Sequence, residues 1–140
     1  MPQLSEHERD EFLAVLRQGI LSMVRQDGSP ISVPVWFEWN GEIVSLFAYA
    51  ESPKIKRLRA NPRASLLVTS NLDEVEMWVA FDGDIRVMES GGMALAERLA
   101  ARYWDLSRPR EAAMLDEWRK IPDQLYVLEL LPRAIRSYKD

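Results

Sequence analysis

At 140 residues, 47% hydrophobic and 29% charged, the chain has the composition of a single globular domain with its own core, expected to span 1–140. It has no cysteine, which excludes thiol nucleophiles, disulfide frameworks and zinc fingers, and only one histidine, His7, on which a Ser-His-Asp triad or multi-histidine metal site would have to rest. The net charge of −4 opposes a general nucleic-acid footprint, no run approaches the ~20 apolar residues of a membrane span, and residues 1–6 lack the pattern of a signal peptide, so the expected compartment is the cytoplasm, with neither nucleic acid nor membrane as partner.

Ser5 and Glu8 form a capping box, acids crowd the first turn, and Phe12, Leu13 and Leu16 share a face, which predicts a first helix that Gly19 stops. The pattern then changes to short β-like runs punctuated by three turn dipeptides, Asp27-Gly28, Asn40-Gly41 and Asp82-Gly83. Six strands are expected, at 20–26, 31–39, 42–49, 64–70, 75–81 and 84–89, joined mainly by hairpins into an antiparallel sheet. In the second, Ile31, Val33, Val35, Phe37 and Trp39 alternate with Ser32, Pro34, Trp36 and Glu38, so the first set faces a core. Pro34 cannot donate to a ladder, which places that strand at an edge or bulge where a ligand can reach the backbone.

After Gly91-Gly92 come helical stretches at 93–103 and 110–120, then a run at 124–131, Pro132 and a short strand at 135–138. The whole reads as a small antiparallel barrel of the α+β class with peripheral helices.

One short helix interrupts the strands. Residues 52–62 begin with Ser52 as N-cap and Pro53 at the first helical position, with only Ile55 and Leu58 on the apolar side. Lys54 and Lys56 occupy the first turn, where the helix dipole disfavours cations and an anion would reverse that cost. A serine hydroxyl, backbone N–H groups and two lysines at a helix start describe a phosphate site; the competing reading is a solvated basic face. Arg57, Arg59 and Arg63 extend the patch, but the helix is too short for a groove reader.

The segment 33–37 (Val-Pro-Val-Trp-Phe), the hairpin after it, and residues 52–65 with their Ser-Pro-Lys-Ile-Lys start and Asn61-Pro62-Arg63 end resemble the pyridoxamine 5'-phosphate oxidase-like flavin-binding split-barrel family. The likeness continues through 78–87 and 126–132. It implies a six-stranded split barrel that forms a homodimer with a flavin-type cofactor, FMN or the deazaflavin coenzyme F-420, in grooves shared by both chains. The second strand, Ser32, Val33, Pro34, Val35 and Trp36, would run along the isoalloxazine ring, and Ser52, Lys54 and Lys56 would hold the phosphate, with Ala50 and Glu51 on the approach. In a helix Arg57 and Arg59 diverge from Lys54. Arg133 and Arg136 do not match the C-terminal substrate motif of the vitamin-synthesising oxidases, so the resemblance is to the short members.

Trp36 and Trp78 are candidate aromatic walls for a planar cofactor, whereas Trp39, Trp104 and Trp118 read as packing residues. Asp73, Glu74 and Glu76 read as a solvated loop, and Asp82 and Asp84 as turn residues rather than metal ligands; no metal is expected. The leading reading is an oxidoreductase passing a hydride between the cofactor and a small organic substrate, with no catalytic side chain assigned; the alternative is a non-catalytic flavin, deazaflavin or tetrapyrrole binding or storage module.

Overall fold

The computed structural model describes residues 2–140. The chain opens with helix α1 (Glu6–Ala14), whose capping box is complete: the Glu8 N–H donates to Ser5 Oγ at 3.1 Å and the Ser5 N–H donates to Glu8 Oε1 at 2.9 Å. Phe12 and Leu13 are buried, but the helix ends at Ala14, so Leu16 falls outside it and is exposed.

Strands β1 (Gly19–Val24) and β2 (Pro30–Val35) form a hairpin through Asp27-Gly28, and β3 (Glu38–Trp39) and β4 (Val44–Tyr49) form another through Asn40-Gly41. Gly28 and Gly41 take φ of 87° and 98°, a region closed to most side chains. Helix α2 (Pro53–Ala60) follows, then β5 (Arg63–Thr69), β6 (Met77–Met88), helices α3 (Gly92–Tyr103) and α4 (Pro109–Arg119), a 3-10 turn and the long β7 (Leu125–Lys139).

The third turn dipeptide is not a turn. β6 runs straight through Asp82-Gly83, pairing with β5 on one side and β7 on the other, with a register shift between Asp82 and Gly83. Gly83 is needed for close approach rather than for positive φ, since a Cβ there would collide with the Leu131 carbonyl oxygen. Pro132, opposite Gly83, lacks an N–H, and its missing donor falls where the ladder is already irregular, so β7 continues across it.

There are therefore seven strands rather than six, in the order β2-β1-β5-β6-β7-β4-β3 with every pairing antiparallel. The run 31–39 divides into two strands, 75–89 is one, and 124–138 is another. β2 and β3 are the two edges, yet only Trp36 and Phe37 lie between them in the chain, so the sheet curls until its edges meet. The class is α+β. Inside the curl Leu21, Phe37, Leu46, Leu66, Phe81 and Leu130 are fully buried, with Phe12 and Leu13 of α1 and Ile55 and Leu58 of α2 packed against them. α3 and α4 pack outside the curl, where Ala96, Ala100, Leu115 and Trp118 form a second core with Trp36 and Phe47.

Glu74 is not a freely solvated loop acid. It meets Arg17, which is 5% exposed and donates to both Glu74 carboxylate oxygens at 2.6 and 3.0 Å and to the Phe12 carbonyl at 3.0 Å, its guanidinium lying over the Phe12 ring. The Arg17 hydrogen bonds, aided by the Asn71 N–H, lower the Glu74 carboxyl from an ordinary 4.5 to about 2. A carboxylate whose pKa is lowered by folding stabilises above its unfolded value, and that contribution disappears as the pH falls towards the folded one. Glu74→Gln is accordingly expected to lower stability at pH 7, with the deficit relative to wild type shrinking between pH 4.5 and 2 in chemical denaturation. In the same assay Gly83→Ala costs about 1–3 kcal/mol from the collision with β7.

Candidate functional site

α2 is capped at its start by its own residues. The Lys54 N–H donates to Ser52 Oγ at 3.3 Å and the Ile55 N–H to the Ser52 carbonyl at 3.0 Å, while Pro53 has no N–H. The first turn contains no acid. The amides expected to offer themselves to an anion are thus largely engaged, and what remains is the Ser52 hydroxyl proton and the lysine charges.

Successive helical residues turn by about 100°, so side chains two apart point in nearly opposite directions. Lys54 and Lys56 accordingly face different openings. Lys54 lines a cavity of about 280 Å³, and Lys56 lines a groove of about 780 Å³ on the other side of α2. Lys54 is half-buried, with burial pushing its ammonium below the ordinary lysine value of 10.5. Among the described residues no carboxylate forms an ion pair with it.

Around this cation the cavity is aromatic. Trp36, from the corner between β2 and β3, is joined there by Phe47 of β4, Trp104 just beyond α3 and Trp118 of α4, with Gln18, Pro34 and Val35 completing the wall. Trp36 stacks on Tyr103 at 5.1 Å between centroids and meets Trp104 edge-on at 4.8 Å, while Trp104 stacks on Trp118 at 5.2 Å. Two polar ties hold this cluster: the Trp118 indole N–H donates to the Tyr49 hydroxyl, and the Tyr103 hydroxyl donates to the Arg17 carbonyl.

Of the residues singled out in the sequence, Pro34, Val35, Trp36 and Lys54 converge on the cavity. Ser52 caps the helix carrying Lys54, and Ala50 sits just before it, its N–H donating to the Gln124 carbonyl. Ser32 and Val33 lie further back along β2, where Ser32 Oγ is 2.8 Å from Ser22 Oγ. Trp78 lines neither opening and stacks against Tyr138 at 6.4 Å. Sequence reasoning missed Gln18, Phe47, Trp104 and Trp118 as lining residues. Phe47 had a signal, being an aromatic on the face of β4 opposite the buried Leu46 and Ala48. Trp104 and Trp118 do pack as expected, and their packing is also the cavity wall.

No carboxylate or imidazole lines the cavity, and His7 is exposed on α1 beside Glu11 at 3.0 Å. Among the described residues there is no group of three or more potential metal ligands and no helix long and apolar enough to cross a membrane. Arg133 and Arg136 pair with Asp84 and Asp82 across β6 and β7. The arrangement can hold an anion at one end of an open, aromatic recess beside an unpaired sheet edge.

A family model described as pyridoxamine 5'-phosphate oxidase matches residues 5–129. No curated protein matches the chain. Among solved structures, a conserved hypothetical protein from Mycobacterium tuberculosis superposes with a TM-score of 0.73 at 23% identity, covering 97% of this chain and 85% of that one. A structure described as an F420 reductase gives 0.73 at 22% identity, with 96% and 98% covered. A heme storage protein from Vibrio cholerae gives 0.66 at 19% identity, with 96% and 93% covered. These likenesses are of fold.

A half-buried cation without a counterion costs stability. Lys54→Met, which retains the apolar stem, is expected to leave thermal stability equal or raise it by up to ~1 kcal/mol, whereas a merely structural lysine would lose stability on the same change.

Proposed function

The chain belongs to the pyridoxamine 5'-phosphate oxidase family, and from that premise we propose that it is an oxidoreductase that binds a flavin-type cofactor, FMN or the deazaflavin coenzyme F-420, and passes a hydride to or from a small organic substrate. The observation that carries this reading is Lys54: a half-buried ammonium with no ion-pair partner among the described residues, in an aromatic cavity, on the helix that Ser52 caps. A dianionic phosphate supplies the missing counterion, and the Ser52 hydroxyl proton is free to donate to it.

The remaining lining residues suit a planar ring. β2 has a strand partner on one side only, so outward-pointing backbone groups near Pro34 and Val35 can meet the polar edge of a heterocycle. The indoles of Trp36, Trp104 and Trp118 exclude water from the aromatic side. When bound, the cofactor supplies the hydride donor or acceptor, and these side chains have only to bind it, orient it and keep the recess dry. Arg133 and Arg136 are engaged by carboxylates on β6, which supports a reaction other than oxidation of pyridoxamine phosphate.

The reading includes a homodimer. The recess of about 280 Å³ in one chain is open on one side, where a second chain would complete it. Pro34, Ile20 and Leu67 stand exposed in one cross-strand row on the outer face, and this row offers an apolar surface beside the cavity.

A non-catalytic binding or storage module is the second reading, favoured by a cavity wall with no carboxylate or imidazole to move a proton. Steady oxidation of reduced cofactor by small electron acceptors supports the enzyme; tight binding without turnover supports the module.

The cofactor site itself is tested by titrating FMN and F-420 into wild type and Lys54→Ala. Affinity is expected to fall at least tenfold in the variant, and unchanged affinity overturns the assignment. Because burial lowers the Lys54 ammonium, wild-type affinity is also expected to decline with rising pH before an ordinary lysine would deprotonate.

A further inference from the structure

The larger opening lies on the far side of α2 from the Lys54 cavity. It is a groove of about 780 Å³ between Val24–Asp27, at the end of β1 and the turn to β2, and one side of α2. Arg25, Lys56 and Arg57 line it over an apolar floor that includes Val24, Pro53 and Ala60.

Two observations bear on the charge that these three cations bring to the groove. First, the chain has 22 acidic against 18 basic residues, so a basic side chain has an excess of carboxylates to choose from. Arg59, two residues beyond Arg57, takes Glu89 at 2.7 Å. Among the described residues, Arg25, Lys56 and Arg57 enter no ion pair. Second, Asp27, the one acid on the groove, turns its Oδ1 to its own turn, accepting from the Ser29 N–H at 3.0 Å and the Ser29 hydroxyl at 2.6 Å. Arg25 is steadied across the same turn by Nη1 donating to the Pro30 carbonyl at 3.2 Å, which leaves Nη2 and Nε without a partner. Like charges gathered in a concave surface focus a positive potential there, and a mobile polar face would scatter them.

We propose that this groove is a second anion-binding site, separate from the Lys54 cavity, for a small molecule that carries phosphate or carboxylate groups on an apolar body. Arg57 and Lys56 approach the anion from the helix, Arg25 from the turn, and Val24, Pro53 and Ala60 receive the apolar part. The anion can belong to a free metabolite or to a distal part of a molecule whose other end lies at Lys54, because the two openings flank one helix; the chemistry at the groove is the same. The inference stands on the groove residues alone and does not need a flavin at Lys54.

The experiment is an amide NMR titration of the full chain with inorganic pyrophosphate, in wild type, in Lys56→Gln/Arg57→Gln and in Lys54→Gln. Expected are saturable shifts of the amides at 25–27 and 56–61 in wild type and in Lys54→Gln, weakened at least fivefold in the double variant. The substituted side chains make no ion pair and lie at the surface, so an otherwise unchanged spectrum verifies that the double variant folds. Silent groove amides in wild type, or equal shifts in the double variant, overturn the proposal. Repeating the titration on protein saturated with FMN and on protein saturated with FAD identifies the source: pyrophosphate binding retained with both assigns a separate metabolite, and binding retained with FMN but lost with FAD assigns the distal phosphate of one long ligand. Loss of FMN binding in Lys54→Gln with an intact groove response, or the reverse, separates the two sites' fates.

Discussion

Everything in this molecule follows from the shortness of one connection. β2 and β3 sit at opposite edges of a seven-stranded sheet, and only Trp36 and Phe37 join them. The three Cα steps from Val35 to Glu38 span at most about 11 Å, so the edges must approach at that end and the sheet must curl. At that corner the strand alternation persists: Phe37 turns inward and is fully buried, and Trp36 turns outward beneath α3 and α4. The same corner leaves the far side of β2 without a strand partner. The aromatic recess and the open backbone edge are two products of one closure.

Much of this was legible because it is local. The Ser5–Glu8 box, the alternation along 31–39, the edge position of Pro34 and the narrow apolar side of α2 all depend on residues within a turn or a few positions of each other. Asp82-Gly83 misled because the same dipeptide serves two purposes. In Asp27-Gly28 glycine supplies a positive φ; at Gly83 it makes room for a neighbouring backbone, and only the partner strand β7 decides between them. The pairing of Glu74 with Arg17 spans 57 residues and leaves no mark in either neighbourhood. Amphipathic spacing told that Trp104 and Trp118 would be covered, but not that each would also be half of a wall.

The two lysines of α2 show how a motif can be right in composition and wrong in geometry. Read as a string, Lys54 and Lys56 are a pair; on a helix they are separated by more than half a turn and open onto different surfaces. The angular argument that sets Arg59 apart from Lys54 applies to Lys56 with more force, whereas Arg57, three residues on, lies only about 60° away. The result is a helix that sorts its cations, one half-buried among indoles and two at a larger groove, so that eight residues serve two openings.

The place of β7 in the sheet has a consequence for how the chain is made. β2, β1, β5 and β6 are contiguous neighbours, and so are β4 and β3, but β7 alone joins these two groups by ladder hydrogen bonds. Until residues 125–139 leave the ribosome, the nascent chain holds two separate partial sheets with open edges, one ending at β6 and the other at β4. Closure is therefore a late, long-range event, of the kind that slows folding and exposes strand edges to other chains. Cutting or delaying the final strand would remove part of the surface on which α3 rests, so the tryptophan recess is among the last parts of the molecule to come into being.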